Sequence, residues 1–260
     1  MLIIIRNGTI VDGTGKPPYR ADVAVKGGVI SAVGDFSRIL ARETIDAHGA
    51  HVLPGFIDVN TDSDHYLTLL TDPLQATFLA QGVTSIIGGQ CGASLAPLLY
   101  GSLASIRAWG DPYGVNIGWH SVSECFGRLR ARGLGVNFGT LVGHATVRQA
   151  LIGSAARDLT VRELSVFAHI IREAMREGAL GLSTGLGYPH SRGVPFGELQ
   201  ALIRVIAPFH GVYTTHLRNE TDRVASAVAE AVALARETGV TTIVNHYRPI
   251  VGFERGFTEG

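Results

Sequence analysis

Charge of either sign is scarce in this chain, and it is balanced. Lys and Arg together number 22, Asp and Glu 22, so the formal net charge is zero. No basic field exists to hold a phosphate backbone, which argues against nucleic-acid binding. Cysteine is nearly absent, with only Cys91 and Cys125. That number excludes a disulfide framework and suits a reducing cytoplasm. No apolar run reaches bilayer-spanning length, so no membrane association is expected. The apolar opening from Met1 to Ile5 is too short for a signal-peptide core and stops at Arg6 and Asn7. What the chain has is 260 residues, 46% of them hydrophobic, enough for a large buried core. It also has 10 histidines and 33 glycines. Histidine is the commonest metal ligand, and glycine marks tight connections between elements.

Two regions differ in pattern. In residues 1–53, Leu2 to Ile5, Asp22 to Lys26 and Val29 to Val33 read as short strands. Asn7-Gly8, Gly13-Thr14-Gly15 and Gly27-Gly28 separate them as turns. This predicts a small β unit, a cap rather than a site. From Pro54 to Gly260 the pattern becomes strand, loop, helix, repeated, with glycines at 82, 135, 178, 211 and 239 opening strands. The clearest helix starts at Thr160, where Glu163 completes a capping box. Its apolar stripe is Leu164, Phe167, Ala168, Ile171, Ala174 and Met175, and Gly178 stops it. Asp72-Pro73 predicts another helix start, and Val224, Val228, Val232 and Ala235 predict a third apolar stripe closed by Gly239. Alternating strands and helices imply a parallel sheet, either an open doubly wound sheet or a (β/α)8 barrel. Both place their chemistry at the C-terminal strand ends. About six such strands are legible.

Three residues share that position. Cys91 follows the strand Val83 to Ile87 through Gly88-Gly89-Gln90. His216 directly follows Val212 to Thr215, and His246 directly follows Ile243-Val244-Asn245. A thiolate and two imidazoles suit zinc. Taken singly, each has a plain alternative: a small core cysteine, or a histidine that is only hydrogen-bonded.

At Val52-Leu-Pro-Gly-Phe-Ile-Asp-Val-Asn-Thr-Asp62 a strand enters the core and ends in polar residues. Pro-Gly-Phe-Ile-Asp after a small N-terminal β unit resembles the first barrel strand of the amidohydrolase superfamily. Gly82-Val-Thr-Ser-Ile-Ile-Gly-Gly-Gln-Cys-Gly92, Leu141-Val-Gly-His-Ala-Thr-Val-Arg148, Gly178-Ala-Leu-Gly-Leu-Ser-Thr-Gly-Leu186, Thr215-His-Leu-Arg-Asn-Glu220 and Asn245-His-Tyr-Arg248 narrow it. Together they resemble the N-acyl-D-amino-acid deacylases (D-aminoacylases) from the N-terminus to about Pro249. The resemblance implies a metal-dependent hydrolase (β/α)8 TIM-like barrel with a small N-terminal β-sandwich part. It implies one zinc on Cys91, His216 and His246, and zinc-assisted hydrolysis of the amide of a small N-acyl amino acid. It implies that Arg248 holds the substrate carboxylate and that Tyr188 contacts substrate. His144, in the matched Gly-His motif, is expected in the pocket or as a structural histidine.

The sequence departs from that pattern twice. The strand-one motif of the family is His-x-His, and here it reads Asn60-Thr61-Asp62. Asp62, and more weakly Asn60, are the remaining second-site ligand candidates, and His65 is expected to face elsewhere. The chain also ends after the sixth strand, before the last two strands and the general-base aspartate. The expectation is therefore a truncated barrel of doubtful activity that self-associates through open strand edges. An inactive pseudoenzyme that keeps its zinc is the first alternative. A serine hydrolase is the second, since Gly181-Leu-Ser-Thr-Gly185 matches G-x-S-x-G, with Asp222 and His246 as later partners. Its context is poor, because Leu186 to Pro195 is a loop and no helix follows the serine. Gly185-Leu-Gly187 lacks the third glycine of a phosphate loop, and Arg128-Leu-Arg130-Ala-Arg132 reads as a solvated helix face.

Overall fold

A computed structural model describes residues 1–101, 117–155 and 157–247. The chain divides into two compact units, Met1–Phe56 and Ile57–Gly260. In the first, β1 (Leu2–Ile10), β2 (Tyr19–Lys26), β3 (Val29–Gly34), β4 (Glu43–Asp46) and β5 (His51–Val52) form one sheet. β1 pairs antiparallel with β2, and β2 with β3, while β4 and β5 lie parallel to β1. A sandwich needs two facing sheets, and the described residues of this unit form a single one. Ile4, Ile10, Val23 and Ala24 are its buried apolar residues. β1 runs on past the expected Ile5 because the register shifts between Ile5 and Gly8, letting the strand continue through Asn7-Gly8.

β6 (Phe56–Asp58) starts at the last residue of the first unit and runs into the second, where β7 (Val83–Gly88) and β8 (Asn137–Thr140) come next. β9 (Val142–Gly143), β10 (Gly181–Gly185), β11 (Val212–His216) and β12 (Thr242–Val244) follow. The sheets run β6-β7-β8 and β9-β10-β11-β12. Leu141 alone separates β8 from β9, so one passage of chain serves both sheets. β7–β8, β9–β10, β10–β11 and β11–β12 are parallel pairs. Spatial order therefore follows chain order throughout, without the reversal that defines a doubly wound sheet.

The long helices of this unit are α3 (Val122–Arg132), α4 (His144–Ile152), α5 (Val161–Arg176), α6 (Phe196–Ile206) and α7 (Val224–Thr238), preceded by the single turns α1 (Thr68–Thr71) and α2 (Ala76–Leu79). α5 starts as its sequence predicts: Thr160 accepts from Glu163 N–H, and Glu163 reaches back to Thr160. Arg157 also pairs with Glu163 and, as the largest cause, holds its carboxyl down to about 2. Phe167, Ile171, Ala174 and Met175 are buried and pack with Leu199, Leu202, Ile203 and Ile206 of α6 against Leu182 and Tyr213 of the sheet. Among the described residues no helix is long and apolar enough to cross a membrane.

Two expectations fail here. Asp72-Pro73 opens no helix; Asp72 closes α1, and α2 starts only after Gln75. The reason is Gln75, buried and left-handed at φ 48°, whose amide accepts from Ser63 and donates to the Asp72 carbonyl, holding the segment as a turn. In α7 the buried residues are Val224, Ala227, Ala231 and Leu234; of the expected series Val224 is buried, Val228 packs partly buried beside it, and Val232 is exposed. The helix turns its small alanines inward for close approach to the sheet. Leu234→Ala is accordingly expected to cost about 2–5 kcal/mol and Val232→Ala less than about 0.5 kcal/mol. Urea titration of both variants checks this, and the opposite ranking would restore the valine stripe.

Candidate metal centre

The ends of β7, β11 and β12 converge. Ligand atoms of Cys91, His216 and His246 all lie within 4.8 Å of one another. Cys91 Sγ is 4.0 Å from His216 Nδ1 and 3.7 Å from His246 Nε2. The two imidazoles meet edge-on, with ring centroids 4.5 Å apart and planes at 78°. One sulfur and two imidazole nitrogens form a donor set that zinc favours, so these three residues fit the ion.

The backbone is bent to bring them together. Cys91 has φ 53° and His246 φ 34°. Left-handed backbone in residues that carry a side chain costs about 1–3 kcal/mol each and persists where the surroundings over-determine it. Here Gln90 does much of that. Its fully buried amide accepts from Thr214 Oγ at 3.0 Å and from Asn245 Nδ2 at 3.1 Å, and it donates to the Val59 carbonyl at 2.6 Å. Gln90 precedes Cys91, Thr214 lies two before His216, and Asn245 precedes His246. One side chain therefore ties the chain beside all three ligands. Gly92 N–H, on the far side of Cys91, donates to Ser183 Oγ at 3.1 Å.

Glu220 completes the arrangement. Its carboxylate lies 2.8 Å from His246 Nδ1 and 3.4 Å from His216 Nε2. Each imidazole thus turns one nitrogen to Glu220 and the other to the thiol. A carboxylate in this place fixes tautomer and ring orientation. The electrostatics agree. Burial raises the Cys91 thiol, but hydrogen bonds from His216 and His246 outweigh it and bring it down to about 6. Cys91 first and Glu220 second lift His246 to about 10. Tyr188 packs on the centre, with its ring 4.7 Å from that of His216, and burial and then the neighbouring Cys91 push its hydroxyl up.

Of the residues singled out from sequence, Cys91, His216, His246 and Tyr188 come together. Asn60 is exposed, and its backbone N–H donates to the Asp58 carboxylate. Asp62 does not join the trio; its carboxylate sits 3.0 Å from His65 Nδ1. His65 was expected to face elsewhere, yet a turn after Thr61, with Tyr66 N–H donating to the Asp62 carbonyl, brings the two side chains together. His144 is fully buried, 3.0 Å from Glu198, which also pairs with Arg148. That places it in an internal polar cluster rather than on an open pocket wall. Arg248 lies outside the described residues.

The serine-hydrolase alternative fails on geometry. Ser183 lies inside β10, fully buried, with its hydroxyl donating to the Gly89 carbonyl. His246 is committed to Cys91 and Glu220, and Asp222 to Thr221 and Asn219. The glycines of Gly185-Leu-Gly187 serve close approach instead. A Cβ at Gly185 would stand 2.2 Å from the Cys91 carbonyl oxygen, and one at Gly187 2.6 Å from His216 Nε2. Sequence reasoning assigned no role to Gln90 or Glu220. For Glu220 a signal was available, its spacing of four from His216.

No protein-family model matches the chain. Individual relatives do. The chain is 33% identical to a D-aminoacylase and 36% identical to an N-acyl-D-glutamate deacylase, both of Alcaligenes xylosoxydans xylosoxydans, over 95% of its own length. It spans about half the length of each, 50%. A solved N-acyl-D-glutamate deacylase from Bordetella bronchiseptica, complexed with zinc and a phosphonate mimic of the tetrahedral intermediate, superposes with TM-score 0.89 at 35% identity, covering 99% of this chain and 54% of that one. A D-aminoacylase with a binuclear metal centre superposes with TM-score 0.85 at 33% identity, covering 95% and 52%. An L-hydantoinase of Arthrobacter aurescens, at 20% identity and TM-score 0.59, shares the fold. The chain is a homologue of the N-acyl-D-amino-acid deacylases.

Two outcomes follow from the centre. Glu220→Ala should weaken zinc binding about 10–100-fold with the fold intact, as loss of an orienting carboxylate does; calorimetric titration beside circular dichroism measures it. Zinc needs a thiolate and neutral imidazoles. The proton that His246 holds must therefore leave, and affinity should rise about tenfold per pH unit between about 6 and 10, the span of the Cys91 and His246 values. An affinity flat over that range would contradict the assignment.

Proposed function

We propose that this homologue of the N-acyl-D-amino-acid deacylases carries strands one to six of a (β/α)8 amidohydrolase barrel, with one zinc held by Cys91, His216 and His246. The reaction is hydrolysis of the amide C–N bond of an N-acyl-D-amino acid, giving a carboxylate and a free D-amino acid. The observation that carries this reading is the convergence of the three ligand atoms within 4.8 Å at the C-terminal ends of β7, β11 and β12, where a barrel places its chemistry. Bound there, zinc supplies Lewis acidity toward an amide carbonyl and lowers the pKa of water.

The side chains of this protein do the rest. Glu220 holds both imidazoles in the orientation that leaves their donor nitrogens toward Cys91. Tyr188, half-buried against His216, is the candidate to donate its phenolic proton toward the acyl oxygen. Burial keeps that proton on the oxygen across the neutral range, as a hydrogen-bond donor requires. Arg248, two positions after His246, is proposed as the fork for the substrate carboxylate.

A second reading, a zinc-holding protein without turnover, is favoured by the pairing of Asp62 with His65, which commits the carboxylate at the end of strand one. Assay of the zinc-loaded chain against N-acetyl-D- and N-acetyl-L-amino acids separates the two. Release of free D-amino acid, abolished by Cys91→Ala, supports the deacylase. Zinc binding without amine release from either series supports the second reading.

A further inference from the structure

The loop that follows β10 serves two places. Tyr188 packs on the metal centre, and Ser191 and Arg192 N–H both donate to its carbonyl, at 3.0 and 2.9 Å, closing the chain into a turn. His190 stands in that turn, its ring stacked on that of Tyr188 with centroids 5.8 Å apart and planes at 12°. His190 also lines a cavity of about 420 Å³ between this loop and α4. That volume falls in the range of small-molecule pockets. None of the three metal ligands lines it.

The cavity wall carries hydrogen-bond donors with nothing to bond. Arg148, 9% exposed, is fixed through Nε on Glu198 at 3.0 Å and through Nη2 on the Arg157 carbonyl at 2.6 Å. Its Nη1 has no hydrogen-bond partner among the described residues. Ser191, 1% exposed, lines the same cavity, and its hydroxyl likewise has none among the described residues. Buried polar groups left unpaired cost about 1–3 kcal/mol each, so an acceptor on a ligand is favoured here. A carboxylate is the acceptor that a guanidinium edge suits.

Charge decides what else the ligand carries. Glu198 offsets Arg148, and Glu163 offsets Arg157 at 2.6 Å. Burial, and then His144, hold His190 below the ordinary histidine range, so its ring adds no charge at neutral pH. Asp158 is the remaining charge on the lining, and no ion pair engages it among the described residues. The wall is therefore negative by one charge, which disfavours a bare anion. A ligand with a carboxylate at one end and an ammonium at the other satisfies both.

We propose that this cavity is a binding site for a small α-amino acid, held by its carboxylate at Arg148 and Ser191 and by its ammonium at Asp158. Ala145, Pro189 and Val194 give the wall an apolar part for a short side chain. Such a molecule is also what the hydrolysis proposed above releases; binding it here requires neither zinc nor turnover. The stacked His190 ring sets the occupant one ring away from Tyr188.

The test is a titration of the metal-free chain, with chelator present so that no zinc competes for the amino acid, followed by nitrogen-15 NMR. D- or L-alanine should shift the backbone N–H signals of Gly153, Ser154 and residues 190–194 saturably. Propionate, which lacks the ammonium, and ethylamine, which lacks the carboxylate, should each bind at least about tenfold more weakly, as loss of one charge-assisted partner implies. Asp158→Asn changes an exposed side chain and leaves the fold in place; it should weaken alanine by a similar factor and strengthen propionate. Ser191→Ala should weaken alanine and propionate alike. No saturable shift with either alanine, shifts confined to the surroundings of Cys91, His216 and His246, propionate binding as tightly as alanine, or alanine affinity unchanged in Asp158→Asn would each overturn the proposal. Zinc binding and amide hydrolysis are measured separately and stand whatever this titration shows.

Discussion

The buried amide of Gln90 is tied to three other strands at the level where the ligands emerge. It takes hydrogens from Thr214 on β11 and Asn245 after β12, and gives one to Val59 after β6. A buried amide left without partners costs about 1–3 kcal/mol, so the strand ends are held in register by a penalty for separation. Cys91, next in the chain, adopts its left-handed conformation inside that frame. Ser183 of β10 holds the other side of Cys91 through Gly92, which gives this residue a structural use in place of a nucleophilic one. The metal centre is thus a consequence of cross-strand stitching. The strands position the backbone, Gln90 locks the positions, and three donor atoms are left facing one another.

Charge is then distributed to suit a cation. Glu220 stands behind both imidazoles, and Cys91 stands between their other nitrogens. Without an ion the proton is shared toward His246, which the thiolate and carboxylate both stabilise. With an ion, the same carboxylate keeps each ring in the tautomer that binds. On the strand-one side Asp62 turns its carboxylate to His65, 3.0 Å from Nδ1, and stays apart from the trio.

The trio was legible because a parallel sheet turns a one-dimensional feature, the residue after a strand, into a shared place in space. Cys91, His216 and His246 needed only correct strand ends. The capping box at Thr160 and Glu163 was legible for a different reason, since its contacts span only three residues. Gln90 was not, because its partners lie 124 and 155 residues away and any polar residue after a strand looks alike. His65 was misjudged by extending the strand past Thr61; the chain turns there, and a turn makes Asp62 and His65 neighbours. The stripe of α7 was misjudged because hydrophobicity favoured valine, whereas close helix–sheet approach favoured Ala227 and Ala231. The Gly-His motif left His144 open between pocket residue and structural histidine, and its burial beside Glu198 agrees with the second.

The account stands or falls on which atoms hold the ion. X-ray absorption at the zinc edge of the stoichiometrically loaded chain measures this directly. The account predicts an inner coordination sphere with one sulfur at about 2.3 Å and two imidazole nitrogens at about 2.0 Å, and loss of the sulfur contribution in Cys91→Ser. A coordination sphere of nitrogen and oxygen alone in the wild-type protein would contradict it.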